Sequence, residues 1–205
     1  YWHGADGLGD TGFGAAASRS PVRRDLDAPH AIVEVARKHV SETGERVDII
    51  TLGPLTNLAL ATRIAPSLVS TVSRVFLMGG AWTGRGNVTH AAEFNIHADP
   101  EAASIVFSTF HSIVMASWEL TLRHPLPAPF VRERYCTTAT AVGRWIGRVT
   151  QHLVSVSGEW FDRVGLYIPD PLCAAIAADP DAVILKSFRR PVDVELAGTH
   201  TRGMT

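Results

Sequence analysis

The sequence predicts an open, mostly parallel α/β sheet that is doubly wound, with helices on both faces. Three short apolar runs, at positions 48–52, 74–78 and 112–116, have the length and residue types of buried strands. Segments with helical spacing separate them, an alternation typical of right-handed βαβ units. A chain of 205 residues and 22.1 kDa suits one such domain. We therefore expect a single α/β domain over residues 1–205.

Both ends of the chain indicate that this domain is incomplete. The chain begins with Tyr1, Trp2 and His3, without a Met, and its last residues, 198–205, resemble the middle of a strand pair. We expect a longer parent protein.

Composition points to a small-molecule partner. A net charge of -1 and a pI near 6.8 offer no broad basic surface for nucleic acid. No apolar run approaches the roughly 20 residues that span a bilayer, and no basic-then-apolar leader precedes the first motif. Cys136 and Cys173 are far apart, which favours reduced thiols over a disulfide or a zinc site. We expect a cytoplasmic protein that binds neither nucleic acid nor membrane.

The first segment is predicted to be a loop. Gly7, Gly9 and Gly12 have the spacing of a dinucleotide-binding fingerprint, but no strand precedes them and no helix follows. Residues 15–29 are small, polar and interrupted by proline, as in a connecting loop. Apolar residues at helical spacing then predict a helix over 29–43.

The run 47–52 predicts a buried strand that leads directly into a helix. Gly53 and Pro54 follow it, a βα turn whose helix starts on the proline at the carboxyl edge of the sheet. An ordinary βα corner would have the same sequence, so this pattern alone does not establish a ligand site.

A second strand, 74–78, ends at Gly79-Gly80, where the backbone can turn sharply and a ligand can approach it closely. In the loop that follows, Glu93 and Asn95 are two residues apart and would project to one side of an extended segment. A carboxylate and an amide would then face one pocket. The alternative is that each is an ordinary loop residue in contact with solvent.

The rest of the chain continues the alternation. Asp99, Pro100 and Glu101 predict a helix start, and the third strand leads into Trp118 at the ligand-binding edge or in the core. Helices are expected at 130–135 and 139–161; an apolar stripe on the second is expected to be core packing. Alternation at 182–185 and 191–196 predicts further strands. The stripe consists of Val142, Ile146, Val149, Leu153 and Val156.

Four consecutive motifs resemble the inosine-uridine preferring nucleoside hydrolase family. They are MGGA at 78–81, GNVT at 86–89, AEFN at 92–95 and DPEAA at 99–103. Enzymes of this family hydrolyse the N-glycosidic bond of ribonucleosides at a bound calcium ion. The resemblance extends, more thinly, over nearly the whole chain.

The resemblance implies a set of substrate-binding residues. Asn87, Glu93 and Asn95 would grip the sugar, chiefly on its 5′ side, and Met78 would pack beneath it. The loop at 3–9 resembles the family's HG-x-D-G-L-G segment at the mouth of the active site. His3 could therefore bind the sugar or base, or it could be a loop histidine bonded to backbone. Further along, Trp160 is a candidate stacking partner for the base or a structural residue.

The resemblance also implies two calcium ligands. GPLTN at 53–57 matches a family motif in which the preceding residue, here Leu52, gives its main-chain carbonyl oxygen to the metal. Asp170 matches the last metal motif, although an N-cap role is an alternative. Pro169 occupies the position of the family's proposed histidine acid and cannot donate a proton.

One family motif is missing. The D-x-D-x-x-x-D-D run, which supplies two aspartate ligands and the catalytic base, does not occur in the 205 residues. We expect it upstream of Tyr1, so the chain by itself would lack the catalytic base. Without the histidine acid, we expect stacking on an aromatic ring, or protonation by His3, His90 or water, to assist base departure. This favours purine ribonucleosides over uridine.

The resemblance therefore predicts hydrolysis of ribonucleosides to ribose and free base by calcium-activated water. The partner would be a small ribonucleoside, and the protein a homo-oligomer, a dimer or tetramer. The alternative is a non-catalytic fragment or pseudoenzyme that keeps a ribose-binding surface. An unrelated nucleotide-binding α/β protein is a third reading, although no phosphate-cradling motif supports it.

Overall fold

The structure, a computed structural model, describes residues 3–12, 24–136 and 139–205. They group into two compact units. The helical unit comprises Tyr1–Arg23 and His124–Ile168, and the sheet unit comprises Arg24–Arg123 and Pro169–Thr205. Most of the predicted connecting loop at 15–29 lies outside the described residues. The expectation of a single domain over the whole chain stays a prediction.

The described helices and strands follow one another in the predicted α/β order. In sequence they are α1 Ala28–Thr43, β1 Val47–Thr51, α2 Thr56–Ile64, α3 Leu68–Thr71, β2 Val72–Met78, α4 Phe94–Ala98, α5 Pro100–Thr109, β3 Ile113–Ala116, α6 Trp118–Arg123, α7 Ala128–Val131, α8 Ala141–Ser157, α9 Glu159–Val164, α10 Pro169–Ala178 and α11 Pro180–Val183. A π-helical turn, Arg132–Cys136, follows α7.

The sheet unit is built on three parallel strands in the order β1-β2-β3. Successive side chains of β2 point to opposite faces, as the pleat requires. Val75 and Leu77 join a core formed with α1, α2 and α5. Phe76 and Met78 join a second core with Cys173 of α10. Helices therefore cover both faces, and the predicted fold class is confirmed.

The prediction that β1 is a fully buried strand is wrong for the described residues. Its burial alternates, and the side chains of Ile50 and Leu52 are 44% and 42% exposed. Within the described chain β1 pairs only with β2, so it is an edge strand. The sequence pattern could not distinguish an apolar edge strand from a central one.

Most predicted helix starts are confirmed. Asp99 caps α5, with its carboxylate accepting a hydrogen bond from the Ala102 amide and with Pro100 at the first helical position. Helix α1 ends at Gly44, whose φ of 75° suits a residue without a side chain. Helix α2 begins at Thr56, two residues later than the Pro54 start that we expected.

The strands predicted at 182–185 and 191–196 are absent from the structure. Asp179 caps α11 by accepting a hydrogen bond from the Ala182 amide, so the Asp-Pro start signal prevails over the alternation. Residues 184–196 contain no strand. Glu195 instead exchanges backbone hydrogen bonds with Gly203 and Met204. Alternating sequence yields a strand only where a partner strand satisfies its backbone groups.

The helical unit has its own small core, formed by Ala128, Val131, Phe161 and Leu166. The predicted helix at 130–135 becomes α7 and the π-helical turn. The predicted helix at 139–161 is divided into α8 and α9 at Gly158, whose φ is 51°.

The apolar stripe on α8 is only partly core. Val142 and Val156, at its two ends, are 68% and 47% exposed. The three residues between them are half-buried. The prediction that the whole stripe is core packing is therefore wrong for the described residues, because spacing shows which residues share a face but not what covers it.

Residues 3–12 form a loop held by its own carboxylates. Asp6 accepts hydrogen bonds from the amides of Leu8 and Asp10, and Asp10 accepts one from Ala5. These bonds lower the pKa of Asp6; the Leu8 amide has the largest effect. Neither strand nor helix occurs in residues 3–12. The helix that a dinucleotide-binding fingerprint requires after Gly12 would lie outside the described residues, so the rejection of that fingerprint stays a prediction.

Candidate functional site

The candidate site lies in the sheet unit, where β2 ends at Gly79-Gly80. Both glycines have positive φ values, of 155° and 77°. A Cβ on Gly79 would lie 3.2 Å from Oε2 of Glu93, and one on Gly80 would lie 2.9 Å from Oγ1 of Thr205. The two glycines therefore allow side chains from distant parts of the chain to approach the backbone closely.

Glu93 is the most buried ionisable side chain at this edge, with 2% of its surface exposed. Its Oε2 accepts hydrogen bonds from the amides of Gly80 (3.0 Å), Asn95 (2.9 Å) and Ile96 (3.3 Å). Within the described residues, no donor is bonded to Oε1. One carboxylate oxygen is thus held in place while the other remains available to a ligand hydroxyl.

Burial raises the pKa of the Glu93 carboxyl group, and the negative charge of Asp170 raises it further. The amide hydrogen bonds oppose this shift without reversing it. Glu93 therefore keeps its proton to a higher pH than an exposed glutamate does.

The prediction that Glu93 to Asn95 is extended is wrong. Helix α4 begins at Phe94, and Glu93 is its N-cap. The side chain of Glu93 bonds the amides of Asn95 and Ile96, which fixes the first helical turn. Glutamate is uncommon among N-caps, so no local signal predicted this helix.

The structure brings the four predicted sugar-binding residues of this unit into one network. The Nδ2 of Asn95 donates to the carbonyl oxygen of Met78 (3.1 Å) and to its sulfur (3.2 Å). The Oδ1 of Asn87 accepts a hydrogen bond from the Phe94 amide at 2.8 Å. Asn87, Glu93, Asn95 and Met78 are therefore linked, directly or through one backbone group. We call these four residues the β2-edge network.

Asp170 lies in the first turn of α10, one residue inside the helix start at Pro169, so the N-cap alternative does not hold. Helix α10 packs against β2 through Cys173, which is a buried free thiol. Burial and the charge of Asp170 together raise the pKa of Cys173 to about 11. Because its charge acts on both Cys173 and Glu93, the Asp170 carboxylate lies within electrostatic reach of the β2-edge network.

The fit of these residues to calcium is incomplete. Leu52 directly follows β1 at the carboxyl edge of the sheet, so its main-chain oxygen and the Asp170 carboxylate are oxygen ligands of the kind calcium prefers. Calcium takes about six to eight such ligands. Among the described residues, no group of three or more His, Cys, Asp or Glu side chains could hold a metal ion.

The two remaining predicted site residues belong to the helical unit. Trp160 lies on α9 with 53% of its surface exposed, and its two interpretations, a stacking partner for the base or a structural residue, both stay predictions. His3 is exposed, and its carbonyl oxygen accepts a hydrogen bond from the Gly9 amide at 2.9 Å.

Two residues that support the site were not found from the sequence. The Oε1 of Glu119 accepts hydrogen bonds from the amide and the hydroxyl of Thr83, at 2.9 and 2.6 Å. Thr205 accepts one from the Ala81 amide. Burial alone would raise the pKa of Glu119, but the hydrogen bonds, chiefly from Thr83, lower it below its ordinary value. Their separations, of 36 and 124 residues, explain why no local motif revealed them.

Trp118 follows the end of β3 and begins α6. It is half-buried and packs against the core on the α10 side of the sheet, in agreement with the core alternative. Its amide donates a hydrogen bond to the carbonyl oxygen of Gly80 at 2.9 Å, which joins the end of β3 to the end of β2.

This fold and site define an α/β protein with a buried polar network at the carboxyl edge of its parallel sheet, where such folds bind ligands. The chain matches the model of the family described as "Inosine-uridine preferring nucleoside hydrolase" over residues 1–205. It belongs to that family.

Relatives of known sequence and structure agree with this assignment. The chain is 33% identical over 197 residues to the inosine-uridine preferring nucleoside hydrolase of Leishmania major, an alignment covering 96% of the chain and 61% of that protein. It is 36% identical over 178 residues to the pyrimidine-specific ribonucleoside hydrolase RihA of Salmonella agona (strain SL483), an alignment that covers 84% of the chain and 55% of that protein.

Two solved structures are also similar. A plant nucleoside hydrolase, the PpNRh1 enzyme, has a TM-score of 0.82 and 29% identity, covering 98% of the chain and 60% of that protein. An inosine-guanosine nucleoside hydrolase has a TM-score of 0.79 and 32% identity, covering 99% of the chain and 62% of that protein. The chain thus spans about three fifths of the length of these relatives. Among the described helices, none is both long and apolar enough to cross a membrane.

Proposed function

We propose that the complete protein hydrolyses the N-glycosidic bond of ribonucleosides, releasing ribose and a free base. Membership of the family over all 205 residues supports this proposal. The observation that carries it is the state of Glu93, a buried carboxylate with one oxygen held by three amides and the other without a bonded donor among the described residues. Such a group suits a fixed acceptor for a sugar hydroxyl.

In this proposal the β2-edge network orients the ribose. Oε1 of Glu93 accepts a hydrogen bond from a sugar hydroxyl, and Nδ2 of Asn87, whose Oδ1 is already bonded to the Phe94 amide, donates one to the sugar. Asn95 acts chiefly by holding Met78 beneath the ring, since its own Nδ2 is bonded to Met78. Fixing the sugar in this way lowers the activation barrier, because the substrate loses its orientational freedom on binding and not in the transition state.

Calcium is the cofactor in this proposal, with the Asp170 carboxylate and the Leu52 main-chain oxygen as two of its ligands. When bound, it would hold the vicinal hydroxyls of the ribose and lower the pKa of the attacking water. The remaining ligands and the catalytic base would come from parts of the complete protein outside these 205 residues.

The test is a hydrolysis assay of the complete protein, in the presence of calcium or of a chelator. Inosine and uridine are the substrates, and compounds without ribose are the controls. We expect release of ribose and base with calcium, and loss of most of it in chelator. No release from any ribonucleoside would refute the function, whereas undiminished release in chelator would refute the metal alone.

Base preference is the finer part of the proposal. Pro169 begins α10, and its side chain has no acidic proton to donate. The departure of the base must therefore be assisted by stacking or by another donor. The exposed ring of Trp160 is the stacking candidate. A purine offers a larger face and a ring nitrogen that can be protonated, so we propose a preference for purines. The names of the relatives include both preferences, pyrimidine-specific for RihA and inosine-guanosine for one solved structure.

Cytoplasmic location and assembly as a dimer or tetramer stay predictions. The exposed apolar residues of the described chain do not identify an interface between subunits.

A further inference from the structure

The sheet unit contains a cavity of about 560 Å³, and the proposed function uses none of its lining residues except Asn87. It is lined by the loop at 86–90, by His97 of α4 and by the turn at 199–202. Asn87 is the only member of the β2-edge network in this lining. The cavity is therefore separate from the buried carboxylate of Glu93.

The lining is rich in nitrogen donors. His90, His97, His200 and Arg202 all contribute to it, and no Asp or Glu does. Within the described residues, none of the three imidazoles has a hydrogen-bond or ion-pair partner. The Nδ1 of His97 is also buried, a costly state for a polar atom without a partner.

Two other lining side chains have their acceptor atoms occupied and their donors available. Oγ1 of Thr89 accepts hydrogen bonds from the amides of Ala91 and Ala92, which leaves its hydroxyl proton to donate. Oδ1 of Asn87 is bonded to the Phe94 amide, which leaves Nδ2. Within the described residues, the cavity thus presents several available donors and no carboxylate.

Arg202 is held in position from outside the cavity. Its Nη2 contacts both carboxylate oxygens of Glu101, at 2.6 and 2.7 Å, and its Nη1 donates to the carbonyl oxygen of Leu196. A guanidinium fixed in this way loses little side-chain freedom when a ligand arrives.

We propose that this cavity binds the phosphate group of a small phosphorylated molecule. A phosphate carries several acceptor oxygens and few or no protons, which complements a lining of imidazole, guanidinium, hydroxyl and amide donors. Its tetrahedral shape suits donors that converge from a loop, a helix and a turn. The volume exceeds that of a lone phosphate and leaves room for a sugar-sized body. This inference does not depend on whether the protein hydrolyses nucleosides.

The test is calorimetric titration of the complete protein with ribose 5-phosphate at constant ionic strength, with ribose as the neutral control. We expect binding of the phosphate ester and none of ribose in this cavity. The double variant His90→Ala/His200→Ala removes two exposed donors and should weaken binding by at least about tenfold. The matched double variant His39→Ala/His111→Ala removes two exposed histidines outside the cavity and should bind normally.

Melting curves of both double variants establish that each is folded. Equal weakening by the two pairs, or no measurable binding by the wild-type protein, would overturn the proposal. Continued nucleoside hydrolysis with no phosphate binding would refute this site and leave the proposed function intact.

Two further titrations identify the source of the phosphate. Inorganic phosphate that binds as tightly as ribose 5-phosphate points to a site for the free ion. A nucleoside 5′-monophosphate that displaces both ribose 5-phosphate and a nucleoside points to a phosphate on the substrate itself, reaching the cavity past Asn87.

Discussion

Glu93 combines two roles that usually compete. Its Oε2 satisfies three amides and caps α4, and its Oε1 is left without a bonded donor. Removing the whole side chain would leave buried N–H groups unsatisfied, at about 1–3 kcal/mol each. Glu93→Ala should therefore damage folding as well as binding. Glu93→Gln keeps an acceptor oxygen for the amides, removes the charge and places an NH2 donor where Oε1 accepts.

The raised pKa of Glu93 predicts how stability depends on pH. Because the folded state holds the proton more tightly than the unfolded state, its contribution to stability is present below the ordinary value of 4.5 and is lost as pH rises through the higher folded pKa. Urea denaturation of the complete protein in chelator, at several pH values, measures this. We expect the free energy of unfolding to fall across that window in the wild-type protein, relative to Glu93→Gln. Parallel curves for the two proteins would show that Glu93 titrates normally.

Pro169 offers a second test at the scale of one residue. Pro169→His places an imidazole at the first position of α10, where the fold needs no proline to begin a helix. General acid catalysis contributes roughly 10²–10⁴-fold. We expect the factor by which the substitution raises kcat for uridine to be at least about ten times the factor for inosine. The preference for purines would then become smaller. The kinetics of both substrates measure this; a wild-type enzyme that already prefers uridine would contradict the argument.

At the scale of elements, the turn after β2 depends on the absence of side chains. A Cβ on Gly80 would lie 2.9 Å from Oγ1 of Thr205 and 3.0 Å from the sulfur of Met115, and its φ is 77°. Gly44, which ends α1, has nearly the same φ of 75° and has nothing within 4 Å of its Cβ position. At either position an alanine would have a strained backbone, at a cost of about 1–2 kcal/mol. Only at Gly80 would its Cβ also clash with neighbouring atoms.

Gly80→Ala should therefore lower the melting temperature more than Gly44→Ala, and it alone should reduce nucleoside turnover. Thermal unfolding and steady-state kinetics of both variants in the complete protein decide this. Equal losses of stability with unchanged turnover would show that the turn after β2 tolerates a side chain and does not shape the site.

The strands and capped helices could be predicted because local signals and packing agree. An Asp-Pro pair starts α5 as predicted, and the apolar run at 74–78 lies in β2. A second Asp-Pro pair starts α11, where a strand was expected. The short helix α4 could not be predicted, since a glutamate N-cap and a long-range bond to Gly80 stabilise it. The alternation of apolar and polar residues at 191–196 wrongly predicted a strand, because a strand forms only where a neighbouring strand satisfies its backbone groups.

At the scale of the whole molecule, the candidate site was predictable where one motif carries several of its residues. Glu93 and Asn95 lie in one short segment, and the structure links them to Met78 and Asn87. Glu119 and Thr205 were missed because their partners are far away in sequence. Only Leu52 and Asp170 are proposed as calcium ligands in this chain, which spans about three fifths of the length of its relatives.

The central claim is that the β2-edge network binds the sugar, and Glu93→Gln in the complete protein tests it most directly. Glu101→Gln is the matched control, because Glu101 also lies at the start of a helix but pairs with Arg202 at the surface. The measurement is kcat/KM for inosine, with a melting curve for each variant. The account predicts a loss of at least about tenfold for Glu93→Gln, with no drop in melting temperature and with near-normal activity in Glu101→Gln. Wild-type kcat/KM in a folded Glu93→Gln protein would contradict it.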